Sequence, residues 1–102
     1  MTEPSTATGS GDRTEDDVRM LVRTIVIELS PERDERAGRD TGLVEDLGYH
    51  SLAMVELAFT LEDEFDLPPI EEATARRITT VGGVQDHVVA ELSARGALVG
   101  GQ

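Results

Sequence analysis

A chain of 102 residues has room for one small domain and no second one. Nine basic residues against 21 acidic ones leave a net charge of −12, which excludes nucleic acid and anionic membranes as partners, since both reward Lys and Arg. With no Cys there are no disulfides, thiol nucleophiles or thiolate metal sites, and two His leave little for a zinc site or a triad.

Residues 1–13 are rich in Thr, Ser, Gly and Pro and read as a flexible N-terminal tail. They lack the basic start and apolar core of a signal peptide, and no later run approaches the ~20 apolar residues of a membrane span. The expected compartment is therefore cytoplasmic, without membrane insertion. A first helix begins at Thr14, whose hydroxyl can cap the amide of Asp17, with Glu15, Asp16 and Asp17 at the positive end of the helix dipole. Val18, Leu21, Val22, Ile25 and Leu29 repeat at helical spacing as one inward stripe. Ser30-Pro31 ends it, because proline disfavours helical geometry in the residue before it.

Residues 30–50 form a long connection, of a length that is usually functional or disordered, with Leu43, Val44 and Leu47 as apolar anchors. A second helix runs from about Ser51 to Phe65 and is closed off by Pro68-Pro69. A short helical turn is expected at Ile70 to Ala75. Thr80 then caps a last helix with Val81, Val84, Val88 and Leu92 inward, ending near Gly96. No segment alternates as a strand would. The expected fold is all-α, a small bundle of three long helices and one short one, spanning residues 14–95, with a tail at 96–102.

The second helix has apolar residues on two sides. Met54, Leu57, Ala58, Leu61 and Phe65 fall on one side and read as the core face. Leu52, Val55 and Phe59 form a second stripe roughly opposite, bordered by Glu56, Glu62 and Asp63. Either the long connection folds over this stripe, or it is exposed and suits docking onto a basic, apolar groove; the second reading is preferred. Ser51 stands at the head of the helix. A serine there is ordinarily an N-cap, and a hydroxyl there is also well placed to hold a phosphate; position alone leaves both open.

The run Glu45-Asp46-Leu47-Gly48, followed by Ser51-Leu52 and Val55-Glu56-Leu57, closely resembles the phosphopantetheine attachment motif of acyl carrier proteins. Leu61-Glu62-Asp63-Glu64-Phe65 and Ile78-Thr79-Thr80-Val81 resemble that family's second-helix end and fourth-helix start. The resemblance covers about residues 14 to 94. It implies that Ser51 receives 4'-phosphopantetheine from a phosphopantetheinyl transferase using coenzyme A and magnesium. The arm's thiol then carries an acyl group as a thioester, so the chain is a shuttle and not an enzyme. Further implied partners are an acyl-loading ligase or transferase and a ketosynthase or condensation-type enzyme. They would recognise Leu52, Val55, Glu56, Phe59, Glu62 and Asp63 on a monomeric carrier.

Two departures matter. The family usually has Asp immediately before the serine, where this chain has His50. Gly-x-His-Ser-Leu looks more like peptidyl carrier domains, and Ala53 and Met54 are greasier than is common in fatty-acid carriers. The reading is a discrete carrier in a specialised polyketide, lipid or lipopeptide pathway. Its alternatives are a free-standing peptidyl carrier and, in a different class, a small acidic helical interaction module with Ser51 as a plain cap. His50 as a catalytic base for Ser51 is disfavoured, since neighbouring residues rarely meet Ser–His geometry. The acidic runs Glu62-Asp63-Glu64 and Glu71-Glu72 lack EF-hand spacing, so no metal site is expected.

Overall fold

A computed structural model of the chain describes residues 13–98. The rest of the two expected tails, 1–12 and 99–102, lies outside the described residues. Among the described residues four helices follow one another: α1 (Glu15–Leu29), α2 (Ser51–Phe65), α3 (Glu72–Arg77) and α4 (Val81–Ala94). This is the expected all-α bundle of three long helices and one short one. Among the described residues, β pairing is limited to isolated bridges of Arg13 with Leu98 and of Gly42 with Thr80. None of these helices is long and apolar enough to cross a membrane.

The two threonine caps lie where the sequence places them. Thr14 Oγ1 accepts from Asp17 N at 3.1 Å, and Thr80 Oγ1 accepts from Gly83 N at 3.1 Å. α1 packs mainly on α4 and then on α2. Its deepest line is Val18, Val22 and Val26, all fully buried, with Ile27 beside them. Leu21, Ile25 and Leu29, expected in the same stripe, are only partly buried and flank that line. Val26 and Ile27 carry the buried line to the end of α1, where Tyr49 of the long connection donates its hydroxyl to Val26 O at 2.6 Å. On α4, Val81, Val84, Val88 and Leu92 face the core as expected. Ala97 and Leu98, placed by the sequence in a C-terminal tail, pack against that core.

The connection from 30 to 50 is strapped down along its length. Leu43 N donates to Thr79 O at 2.9 Å, and Glu32 N donates to Leu47 O at 2.9 Å. The first amides of α4 are satisfied by this strap: Val81 N donates to Thr41 O at 3.0 Å and Gly82 N to Arg39 O at 2.9 Å. Arg39 also reaches Asp86 at 3.1 Å, and Arg19 reaches the same carboxylate from α1 at 2.8 Å. Hydrogen bonds from Arg39 and then Arg19 hold the Asp86 carboxyl below the usual carboxylate range. Of the three expected anchors, Leu43 and Leu47 are fully buried, but Val44 is 64% exposed. The reason is local. Asp46 N and Leu47 N both donate to Gly42 O, so the segment coils like one helical turn. Positions 43 and 47 then share a face, and 44 points away from it.

The close strap explains one glycine. A Cβ on Gly82 would stand 3.0 Å from the backbone oxygen of Arg39, which cannot withdraw without losing its bond to the same residue. On Gly83 the nearest atom would be Ile78 Cγ2 at 3.4 Å, an ordinary contact. Gly82→Ala should therefore destabilise by roughly 1–3 kcal/mol, as overpacking does. Gly83→Ala should be neutral or stabilising by up to ~1 kcal/mol through helix propensity. Urea unfolding midpoints check this, and a Gly82→Ala midpoint at or above the parent's would contradict the strap geometry.

Candidate functional site

The site is the entry into α2, and each residue from 47 to 51 has a distinct job. Leu47 is buried in the core. Gly48 turns the chain at φ +73°, a left-handed conformation that glycine adopts without strain. Tyr49 is the anchor. Its side chain is buried, and its hydroxyl donates to Val26 O at 2.6 Å. That carbonyl lies in the last turn of α1, where Ser30 N bonds Ile27 O and leaves it free. Burial raises the Tyr49 hydroxyl above the ordinary phenol range. Removing the hydroxyl with Tyr49→Phe leaves a buried carbonyl unsatisfied and should cost about 1–3 kcal/mol. Thermal unfolding tests this; an unchanged melting temperature would mean that water replaces the hydroxyl.

His50 is extended at φ −129° and ψ 179° and serves as the N-cap of α2. Its Nδ1 accepts from Ala53 N at 3.4 Å, and its carbonyl accepts from Met54 N at 2.8 Å. Ser51 is therefore the first residue inside the helix and not its cap, which corrects the plain-cap reading of this serine. Its side chain is exposed, and its hydroxyl makes no hydrogen bond among the described residues. Ser51 N and Leu52 N likewise have no backbone acceptor among them, as first-turn amides commonly do not.

α2 turns Ala53, Leu57, Leu61 and Phe65 inward. Met54 and Ala58, expected on that face, are only half-buried. With Leu57, Leu61, Ile78 and His87 they line a small apolar cavity of about 30 Å³, roughly the space of one water. His87 is thus partly buried at a cavity wall. The opposite stripe is bare: Leu52 is 64%, Val55 47% and Phe59 64% exposed. The connection does not fold over it, because its own apolar residues Leu43, Leu47 and Tyr49 are spent on the core. Glu56 and Asp63 are exposed beside this stripe. Glu62 differs, since its Oε2 accepts from Ile70 N at 2.9 Å and ties the chain beyond α2 back to the helix.

A larger cavity, about 400 Å³, lies at the other end of α2. There Arg13 stacks over Phe65 at 4.9 Å, and Arg95 donates to Phe65 O at 2.9 Å and Asp66 O at 2.6 Å. A helix of this length sets it ~20 Å from Ser51, and its charged groups are paired with one another. Among the described residues no cluster of three or more His, Asp or Glu could hold a metal ion.

The sequence pattern of the phosphopantetheine attachment site family matches residues 21–88. The chain belongs to the acyl carrier protein family. It is similar to a Mycobacterium tuberculosis protein described as an acyl carrier protein, at 33% identity and a TM-score of 0.56, over 74% of this chain and 95% of that one. It is also similar to the acetyl actinorhodin acyl carrier protein of Streptomyces coelicolor, at 30% identity and a TM-score of 0.55, over 72% of this chain and 88% of that one. As a carrier it is not a catalyst, and its covalent cofactor is 4'-phosphopantetheine. Carriers of this family interact with synthases and transferases. The residues at the head of α2 fit such a group. An exposed hydroxyl, bonded to none of the described residues, stands at a helix N-terminus whose first amides favour a phosphate.

Proposed function

We propose that Ser51 is the attachment residue and that the chain carries acyl groups in a specialised polyketide, lipid or lipopeptide pathway. The observation that carries the assignment is the exposed Ser51 hydroxyl, inside α2 and relieved of capping by His50. When bound, the arm supplies a terminal thiol that holds the acyl group as a thioester, a function for which this chain has no cysteine of its own. The chain's part is to present a hydroxyl that is neither buried nor bonded. Its free first-turn amides and the positive end of the α2 dipole favour the negative charge of the phosphodiester.

Recognition is proposed to fall on the bare stripe of Leu52, Val55 and Phe59, with Glu56 and Asp63 as its charged margin. Glu62 contributes less, being engaged with Ile70 N. Partners are then a phosphopantetheinyl transferase, an acyl-loading ligase or transferase, and a ketosynthase or condensation-type enzyme. All would present apolar contacts edged with basic residues. The test is intact-mass analysis after incubation with coenzyme A, magnesium and a broad-specificity transferase. The carrier reading expects a single arm on the parent chain; no gain in mass would refute the Ser51 assignment.

A second reading, a free-standing peptidyl carrier, is favoured by one feature, His50 before Ser51 and Leu52. Loading with an acyl group by acyl-loading enzymes but not with an amino acid by adenylation enzymes decides for the first reading, and the reverse decides for the second.

A further inference from the structure

Two residues at the head of α2 can supply the acceptor its first amides need. Serine is among the best N-caps and histidine is not among the favoured ones. Yet His50 holds the cap and Ser51 lies inside the helix. The His50 contact, at 3.4 Å, is long for an N–H donor, so its grip is weak. A neighbouring register is therefore close in free energy. In it α2 starts one residue later, and Ser51 Oγ accepts from the amide of Ala53 or Met54 as an ordinary serine cap does. That bond ties the hydroxyl oxygen to the backbone and turns it from a partner enzyme.

We infer that His50 is a positioning residue for the modification of Ser51: by occupying the cap, it keeps the serine in the first helical position with its hydroxyl free. The inference rests on the Ser51 assignment above. Neighbouring bonds support the observed register. Tyr49 is fixed to α1 through Val26 O, and Met54 N donates to His50 O at 2.8 Å. The anchor at 49 sets where the chain arrives, and residue 50 decides which of two acceptors closes the helix. Because serine replaces the lost cap, removing the imidazole should leave stability nearly intact while lowering the reactive population. A purely structural role would do the opposite.

The experiment compares the parent chain with His50→Ala and His50→Asn. Initial modification rates are read by intact mass with coenzyme A and a broad-specificity transferase, together with melting temperatures and the amide NMR shifts of residues 51–54. For His50→Ala, kcat/KM should fall about twofold to threefold, the population shift expected when a cap at the weak end of the range is lost. Its melting temperature should stay close to the parent's, and the Ala53 and Met54 amides should shift. His50→Asn, a strong cap without an imidazole, should restore the rate. An unchanged rate in His50→Ala overturns the inference, as does a rate loss matched by a large drop in melting temperature. Equal slowing by Ala and Asn also overturns it, because the transferase would then be reading the imidazole itself. A parent chain that gains no arm refutes the Ser51 assignment instead.

Discussion

Ser51→Ala will fold as the parent does and gain no phosphopantetheine. The side chain it removes is exposed and bonded to none of the described residues, and alanine is the best helix former for the position it enters. Stability should change by no more than ~0.5 kcal/mol, the usual range for surface substitutions away from special features. The loss of modification should be complete, because among the described residues no other group at the head of α2 offers a free hydroxyl. Among the described serines, Ser30 is already donating to Ile27 O at 2.7 Å, and Ser93 lies on α4 away from this entry. Ser51→Thr should also be slow, since its extra methyl crowds the oxygen during attack on the coenzyme A phosphate. Intact mass and a melting curve on the same samples give both readouts. An Ala variant that still gained the arm would place the attachment elsewhere.

How much of this was legible in the sequence depended on whether a feature was local. Thr14 and Thr80 could be read as caps because a threonine before an amphipathic stretch satisfies amides within its own turn. The Leu52, Val55 and Phe59 stripe was readable from helical spacing and the end of α2 from Pro68-Pro69, but only the fold shows that the stripe is bare. The cap at His50 was not readable, because histidine carries no strong cap preference and Ser51 offered the conventional choice. The short helix was expected at Ile70 to Ala75 and occurs at Glu72–Arg77. Ile70 N instead donates to Glu62 Oε2 at 2.9 Å, and the helix begins two residues later. Val26, Ile27 and Tyr49 are buried, and the hydrogen bond from Tyr49 to Val26 O joins α1 to the long connection, a pairing that no window along one segment can reveal. Within the attachment motif, the family resemblance pointed to Ser51, while the reason its hydroxyl is free emerged only from the fold.

The two apolar sides of α2 should respond to truncation in opposite ways. Leu61 is 2% exposed in the centre of the core, and Leu61→Ala should cost roughly 2–5 kcal/mol through lost burial and the cavity left behind. A domain of this size has a total stability of ~5–10 kcal/mol, so the variant should melt far below the parent. Phe59 has most of its ring in water at 64% exposure, and Phe59→Ala should change stability by only ~0.5 kcal/mol. Its effect should appear on encounter with partners. An exposed aromatic in the proposed docking stripe is the kind of residue whose removal costs about 1–2 kcal/mol of binding, or roughly tenfold in kcat/KM. Salt separates this contact from its charged margin. Loss of an apolar anchor should persist at high ionic strength, whereas charge removal at Glu56 or Asp63 should matter mainly at low salt. The measurements are urea unfolding for both truncations and transferase kinetics at two ionic strengths for Phe59→Ala, Glu56→Gln and Asp63→Asn. Comparable stability losses from Leu61→Ala and Phe59→Ala would mean that the second stripe is covered in solution, and its role in docking would be withdrawn.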